Sequence, residues 1–278
     1  MIGAIIGDIV GSRFEFVHDH RRDRNFALFA SGCTPTDDSL MTLAVAHALF
    51  IAKGDKDKLK EVIVPCMRNI AHDYPNTGWG GSFYKWLFVE KNPRPYNSFG
   101  NGAGMRISPV GWVADSETEV KELSKIITEV SHDHPEGLKG AEAIAMAVYL
   151  ARIGKEKSEI RARMAEYYPQ LKDENFTIAN IYGHYGYDYM GNWVTCQGSI
   201  PQALAAFCDS ESFEDAIRNA VCIGGDSDTI GAMAGSIAEA YYGVPFEMEE
   251  KALSYLPVDL KGYILRSIPC ENQGRKSK

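Results

Sequence analysis

Two stretches of the chain combine helical spacing with a face made of glycine and alanine. Glycine recurs every four residues at Gly3, Gly7 and Gly11, and residues four apart lie on one face of a helix. A second stretch, 230–240, carries glycine or alanine at 231, 234, 235 and 238. Because glycine costs roughly 1 kcal/mol relative to alanine inside a helix, each face predicts close packing against a partner helix or a ligand. Both helices are expected to be buried.

Helical spacing recurs along the rest of the chain, whereas no stretch shows the sustained alternation of valine, isoleucine and threonine that strands need. Further helices are expected at 40–50, 59–73, 137–152, 199–208 and 212–221, and the charged residues 54–61 are assigned to a linker. The chain has 278 residues, 45% of them hydrophobic, which is enough to bury a core. We therefore predict an all-α fold, with a single compact multi-helix domain over 1–270 and a disordered basic tail at 271–278.

Charge and cysteine content exclude several classes of protein. The net charge is −8 and no basic block occurs outside the last four residues, so a nucleic-acid surface is not expected. Six cysteines occur without a C-x-x-C pair, which is typical of reduced thiols in the cytoplasm and disfavours structural zinc. Neither a signal peptide nor a membrane span is predicted, because no basic segment precedes the first apolar run and the longest uncharged run contains Pro201. The expected protein is soluble and cytoplasmic, and its oligomeric state is open, with a monomer slightly favoured.

An acidic turn, Gly224-Gly225-Asp226-Ser227-Asp228-Thr229, leads directly into the second small-residue helix. It places two carboxylates and a hydroxyl beside a helix N-terminus, and clustered anionic oxygens indicate a hard cation such as Mg²⁺. The alternative is that Asp226 or Asp228 is only an N-cap. A calcium EF-hand is excluded, because Ile230 and Ile237 stand where that loop needs oxygen ligands.

Another acidic turn, Thr36-Asp37-Asp38-Ser39, precedes the expected helix at 40–50 and also carries two aspartates and a threonine. In chain order it is the first acidic turn, and the turn at 224–229 is the second. Two such turns facing each other could hold two cations, whereas two independent helix starts would hold none. Glu15 is the acid nearest the end of the first helix. It is interpreted either as part of this site or as a solvated surface residue.

Three further stretches could contact a ligand. The stretch 96–106 has three glycines in five residues, so its backbone could approach a phosphate or a sugar, although a plain ordered loop is the alternative and it is not a P-loop. His132 is expected to be a hydrogen-bonding loop histidine rather than a zinc ligand. The tyrosine- and tryptophan-rich segment 182–193 is either a hydrophobic flap or a stacking surface for a base.

Taken in chain order, five motifs resemble the ADP-ribosylglycohydrolase family, which includes dinitrogenase-reductase-activating glycohydrolases and vertebrate ADP-ribosyl hydrolases. They are Gly7-Asp8 with Glu15 seven residues later, Thr36-Asp37-Asp38, Phe99-Gly100-Asn101-Gly102-Ala103 with Met105-Arg106, Ser131-His132, and Gly224-Gly225-Asp226-Ser227-Asp228-Thr229-Ile230-Gly231. The resemblance runs from residue 3 to about residue 243. Each motif alone is weak, but five in the family's order form a specific signal.

The resemblance implies an all-helical domain with two divalent cations, Mg²⁺ or Mn²⁺, in a cleft that binds ADP-ribose. The implied ligands are Thr36, Asp37, Asp38 and Asp228 for one cation, and Asp226, Asp228 and Thr229 for the other, with Asp228 bridging. Glu15 matches a glutamate that approaches the second cation and gates the site. The implied substrate contacts are Ser98, Phe99, Gly100, Asn101, Gly102 and His132. One departure is Ser227, where many members have threonine.

The activity implied is metal-dependent removal of ADP-ribose from a modified side chain, with arginine favoured, by cleavage at the anomeric carbon of the ribose. Two cations sharing a carboxylate can polarise ribose hydroxyls and activate water, and Asp37, Asp38 or Glu15 could act as general acid or base. Serine-linked or free ADP-ribosyl compounds are alternative substrates, and a non-catalytic, crystallin-like ADP-ribose-binding protein is the alternative of another class. The presence of every acidic position and both threonines favours the enzyme. The expected partner is an ADP-ribosylated protein or small molecule.

Overall fold

The computed structural model describes residues 1–15, 24–184 and 193–267. The helices are α1 Ile2–Ser12, α2 Asp37–Ala52, α3 Lys56–Asp73, α4 Gly81–Tyr84, α5 Gly102–Met105, α6 Ser108–Val113, α7 Glu117–Thr128, α8 Pro135–Arg152, α9 Lys157–Met164, α10 Ile178–His184, α11 Cys196–Cys208, α12 Phe213–Ile223, α13 Ser227–Tyr242, α14 Phe246–Tyr255 and α15 Val258–Ser267. A π-helical turn, Lys85–Val89, continues α4, and Pro169–Lys172 form a 3₁₀ turn. The all-α prediction is confirmed.

The two small-residue faces predicted from the sequence pack against each other along α1 and α13. A Cβ atom added at Gly7 would lie 2.0 Å from the carbonyl oxygen of Gly231, and one at Gly3 would lie 2.3 Å from that of Gly235. At the other end of the contact, a Cβ on Gly11 would lie 2.4 Å from the carbonyl oxygen of Ser227. These distances are far below van der Waals contact, so the two backbones touch directly. We call this contact the glycine seam.

Helix α13 occupies the centre of the molecule, with every residue from Ser227 to Ala238 buried. It packs against α1, α8, α11 and α12, while α2 packs against α1, α3 and α15. Surrounding apolar side chains from these helices form one continuous core. The seam therefore brings the N-terminus of α13 beside the C-terminal half of α1, and α2 begins next to the same place.

The structure corrects the assignment of residues 54–61 to a linker. Helix α3 begins at Lys56, because the carboxylate of Asp55 accepts hydrogen bonds from the backbone N–H groups of Asp57 and Lys58, both at 3.0 Å. Four of the expected helices begin two to three residues earlier than predicted, at Asp37, Lys56, Pro135 and Cys196. In the ranges described, no helix has the length and apolar character needed to cross a membrane. The predicted tail, 271–278, lies outside the described residues.

Candidate active site

The first acidic turn is attached to α1 through Asp8, an acid within the apolar first helix. Asp8 is fully buried, and its carboxylate accepts hydrogen bonds from Thr36 through the backbone N–H at 2.9 Å and Oγ1 at 2.7 Å. Ser39 donates to the same carboxylate from its backbone N–H at 3.1 Å and from Oγ. Asp8 therefore satisfies N–H groups at the start of α2, which a helix leaves without intrahelical partners. This arrangement sets the position of Thr36, Asp37 and Asp38.

The second acidic turn depends on two glycines with left-handed backbone. Gly224 and Gly225 have φ of 85° and 67°, a region that side chains rarely adopt. A Cβ on Gly225 would also lie 1.9 Å from the ring of Trp193. The turn places Asp226 at the N-cap of α13, where its side chain makes no capping bond and instead accepts a hydrogen bond from Asn101 Nδ2 at 2.6 Å. Asp226 thus occupies the N-cap position, but its side chain does not cap the helix, so the alternative that it serves only as an N-cap does not hold.

The two acidic turns face each other. Thr229 Oγ1, from the second turn, donates to Asp38 Oδ2, from the first, at 3.2 Å. One carboxylate oxygen from each of Asp8, Asp38 and Asp228 lies within 4.8 Å of the others, and Glu15, Asp226 and Asp228 form a second group by the same measure. Asp228 belongs to both groups. The acidic turns are thus one structural unit, which we call the acidic cluster (Asp8, Glu15, Asp37, Asp38, Asp226 and Asp228).

Burial makes the ionised form of this cluster unfavourable. Burial raises the pKa of Asp8 to about 6. Glu15 is the most exposed of the six acids, yet partial loss of water, together with the charges of Asp226 and Asp8, raises its pKa to about 7. Burial and neighbouring carboxylates hold the pKa of Asp37, Asp38 and Asp228 well above its usual range, and burial raises the pKa of Asp226. The principal cause throughout is removal of the carboxylates from water.

The cluster has no positive partner within the described ranges. None of the ion pairs found there involves these carboxylates, and the buried Oδ1 of Asp38 has no hydrogen-bond partner. Buried charges in proteins are normally paired or bound to a metal. The donor set is made of carboxylate and hydroxyl oxygens, the ligands that Mg²⁺ and Mn²⁺ prefer. The residues present therefore fit hard divalent cations.

A pocket of about 290 Å³ opens beside the cluster and joins it to the glycine-rich stretch. Its lining contains Glu15, Asp37, Asp38, Ser98, Gly100, Asn101, Gly102, Arg106, His132, Asp226, Asp228 and Thr229. Most of the residues predicted for the site thus surround one cavity. Thr36 lies behind Asp38, to which its Oγ1 is 3.4 Å distant, and Phe99 lies beside the pocket, with its ring 5.1 Å from that of His134.

The structure restricts the predicted stacking segment. Trp193 is only 3% exposed and packs on Gly225, so it offers no face to a base. Residues 185–192 of that segment lie outside the described residues. Phe99, one of the implied substrate contacts, is 43% exposed, so its ring can stack on a base.

Sequence reasoning missed two side chains of the site, Asp8 as a scaffold and Arg106 as a pocket residue. Arg106 is 0% exposed and lines the pocket, and its Nη2 donates to Ser131 Oγ at 2.8 Å. The available signal was a charged residue inside an otherwise apolar or glycine-rich stretch, since such a charge must find a partner or line a cavity.

The chain resembles known proteins over most of its length. The family model for ADP-ribosylglycohydrolases matches residues 1–253. The chain is 26% identical over 340 residues to ADP-ribosylhydrolase ARH3 of Homo sapiens, covering 96% of this chain and 92% of that protein. It is also 26% identical over 279 residues to ADP-ribosylarginine hydrolase Tri1 of Pseudomonas putida (strain GB-1), covering 90% of this chain and 72% of that protein. A solved structure described as an ADP-ribosylglycohydrolase-related protein complex superposes with a TM-score of 0.66 at 21% identity, covering 96% and 95% of the two chains, which shows a shared fold.

Proposed function

The chain belongs to the ADP-ribosylglycohydrolase family, and from this premise we propose that it is a metal-dependent hydrolase that removes ADP-ribose from a modified side chain. The bond broken would be the glycosidic bond at the anomeric carbon of the ribose. Arginine-linked ADP-ribose is the favoured substrate, supported by the similarity to a protein named as an ADP-ribosylarginine hydrolase. Serine-linked or free ADP-ribosyl compounds are the alternatives to test.

The observation that carries the proposal is the pairing of two kinds of buried charge around one pocket. The acidic cluster has no positive partner among the described residues, while Arg106 places a buried cation in the same lining. A ligand that brings divalent cations to the carboxylates and an anionic diphosphate near Arg106 and His132 would compensate both. ADP-ribose combines ribose hydroxyls with such a diphosphate.

The acidic residues differ in how each would contribute to binding the cations. Asp38, Asp226 and Asp228 would hold them, with Thr36, Asp37 and Thr229 completing the oxygen donors, and Asp228 is suited to bridge because it belongs to both acidic groups. Bound there, divalent cations supply polarisation of the ribose hydroxyls and activation of a water molecule. Asp8 is a poor direct ligand, since four donors from Thr36 and Ser39 already occupy its carboxylate.

Proton transfer falls to the acids that remain accessible. Glu15 is exposed and Asp37 is partly exposed, and both line the pocket. Asp38 is buried and accepts a hydrogen bond from Thr229, which suits a ligand better than a group that must meet a leaving group. Glu15 and Asp37 are therefore the stronger general acid or base candidates.

The test is ADP-ribose release from arginine-modified and serine-modified peptides of the same sequence, with EDTA and after addition of Mg²⁺, Mn²⁺ or Zn²⁺. We expect release with Mg²⁺ or Mn²⁺, none with EDTA, and poor replacement by Zn²⁺, because the proposed ligands are all oxygens. Undiminished release in EDTA would contradict the metal requirement. ADP-ribose binding without release from either peptide would favour the non-catalytic alternative.

A further inference from the structure

Arg106 carries a buried positive charge that the described residues do not neutralise. Its side chain is 0% exposed, its Nε and Nη1 atoms have no hydrogen-bond partner, and it takes part in no ion pair found in the described ranges. The ring of Phe83 lies 5.3 Å from its Cζ. Burial lowers the pKa of Arg106 to about 10, which leaves the guanidinium protonated at neutral pH. Burying a cation without a partner is unfavourable because its hydration is lost, so the position of Arg106 calls for a functional explanation.

The one nitrogen of Arg106 that makes hydrogen bonds, Nη2, faces Ser131 and His132, and His132 lines the pocket. Nη2 donates to Ser131 Oγ at 2.8 Å, and Ser131 Oγ is 2.8 Å from His132 Nδ1. Nη2 is itself 3.4 Å from the same Nδ1. Because arginine can only donate, Ser131 Oγ accepts from Arg106 and its own hydrogen is free for His132.

We propose that Arg106 is a positioning residue that, through Ser131, fixes His132 as the neutral imidazole with its proton on Nε2, so that His132 presents an N–H donor to the ligand in the pocket. Arg106 Nη2 can only donate to Nδ1, so Nδ1 is the acceptor in this contact and carries no proton. The proton of a neutral ring must then sit on the other nitrogen. This inference rests on the proposed function only for the identity of the ligand.

The orientation of the imidazole agrees with this role. Nε2 lies 3.3 Å from the position that a Cβ on Gly102 would occupy and 3.6 Å from that on Gly100, and both glycines line the pocket. Their lack of side chains leaves the space in front of Nε2 open. An anionic or carbonyl oxygen could accept a hydrogen bond there.

Within the described residues, two charged or titratable side chains lie next to the His132 ring. Arg106 Nη2 is 3.4 Å from Nδ1, and the ring centre of Tyr96 is 5.8 Å from that of the imidazole. Burial, and then the charge of Arg106, hold the pKa of His132 well below its usual range. A second positive charge beside Arg106 would be repelled, so His132 stays neutral and keeps the same tautomer through the physiological pH range.

Nitrogen-15 NMR of the histidine rings in the full chain tests this directly. We expect His132 to show the Nε2–H form from pH 5.5 to 8 in the parent protein, a range chosen to bracket the ordinary histidine pKa of about 6.5. Arg106→Met and Ser131→Ala should give a mixture of tautomers or a titrating ring, whereas Arg106→Lys, which keeps a cation and a donor, should retain more of the parent pattern. His134 is the internal control: its Nδ1 accepts from the backbone N–H of Glu136 at 3.1 Å, and at any one pH its signals should be the same in the parent and in each variant.

The substrate readout is taken from Ser131→Ala, which leaves the charge of Arg106 in place: KM should rise about tenfold with little change in kcat, as expected for a weakened hydrogen bond from His132 to a charged group. An Nδ1–H tautomer in the parent, or an unchanged His132 pattern in folded Arg106→Met and Ser131→Ala, would overturn the proposal. If Arg106→Met does not fold, Ser131→Ala decides. The tautomer is measured without substrate or metal, so its outcome is separate from failure of the proposed activity.

Discussion

The glycine seam and the acidic cluster are built by the same two helices, α1 and α13, yet they have opposite effects on stability. Along the seam, backbone meets backbone closely enough that an added Cβ at Gly7 would lie 2.0 Å from an oxygen of Gly231. At the end of the seam where α13 begins, buried carboxylates face each other without a positive partner among the described residues. The seam gains dispersion contacts, whereas the cluster loses hydration.

This difference indicates that the two regions of the helix pair have separate roles, the seam in stability and the cluster in function. The seam holds α1 and α13 at a fixed separation, and that separation keeps like charges together that would otherwise move apart. Such strain concentrates at functional sites and is offset by packing elsewhere. A substitution in the seam should therefore reduce stability, while one in the cluster should reduce activity and can increase the stability of the metal-free protein.

The largest effect is expected for Asp228→Asn. Asp228 alone belongs to both acidic groups, so losing its charge should release at least one cation and reduce turnover by at least about a hundredfold. The chelated variant should be as stable as the parent or more stable, because burial and the neighbouring charges of Asp226 and Asp38 oppose ionisation of Asp228. Turnover, bound metal and melting temperature in EDTA are the measurements.

The matched control is Asp57→Asn, the same substitution at an exposed site on α3. It should leave turnover and bound metal unchanged. Near-normal turnover and metal content in Asp228→Asn would reduce Asp228 to a helix-capping role and remove the proposed bridging ligand.

Gly7→Ala tests the other side of the comparison. The new methyl group would overlap the backbone of Gly231, and forcing extra volume into a packed contact typically costs about 1–3 kcal/mol. Denaturant unfolding should show this loss with and without metal. Gly262→Ala is the control, because in the described part of the chain no atom beyond the adjacent backbone of α15 lies within 4 Å of the added Cβ and alanine is the better helix former by roughly 1 kcal/mol. Equal effects of the two variants would show that the seam does not depend on close backbone contact.

The pH dependence of stability gives a further test of the difference between the glycine seam and the acidic cluster. An unfolded aspartate loses its proton near its ordinary pKa of 3.8, but in the folded protein Asp8 holds its proton up to about 6. Between these values the folded state binds more protons, so raising the pH favours unfolding. The raised pKa values of Asp38 and Asp228 extend the loss to higher pH. Chelated protein should therefore lose stability as pH rises from about 4 to beyond 6.

Thermal unfolding in EDTA across this pH range measures the loss. Added Mg²⁺ should restore most of the stability at neutral pH, since a ligand that binds only the folded state stabilises it, and Asp228→Asn should flatten the chelated curve. A chelated protein whose stability increases steadily from pH 4 to 7 would show that these carboxylates are compensated by other groups.

The smallest effect is expected for Phe99→Ala, at the pocket edge and away from the cluster. Phe99 is 43% exposed, and stacking of an aromatic side chain on a base contributes about 1–3 kcal/mol. We expect KM for the ADP-ribosylated peptide to rise about five- to tenfold with kcat and metal binding unchanged, a loss at the lower end of that range. Phe246→Ala, at an exposed residue that does not line the pocket, should leave KM unaltered. An unaltered KM in Phe99→Ala as well would exclude adenine stacking on this ring.

Local pattern was sufficient to predict the small-residue faces, the two acidic turns and the helices α1, α2, α3, α8, α11, α12 and α13, but it did not predict α7, α9, α14 or α15. Spacing of three and four residues determines which side chains share a helix face, and Asp226, Asp228 and Thr229 are close in space because they are close in the chain. Where local reasoning was wrong, a local detail was responsible, as when high charge concealed the cap at Asp55 and the helix that begins at Lys56.

Only the tertiary structure decided which faces meet. The pattern predicted a close partner for the face that carries Gly7, but nothing local identified Gly231 as that partner or Thr36 as the partner of Asp8. The link from Thr229 to Asp38 and the one from Arg106 to His132 span 191 and 26 residues of the chain. A hydrogen bond requires atoms within about 3 Å and well aligned, and for residues so far apart that geometry is set by the packing of the helices that carry them.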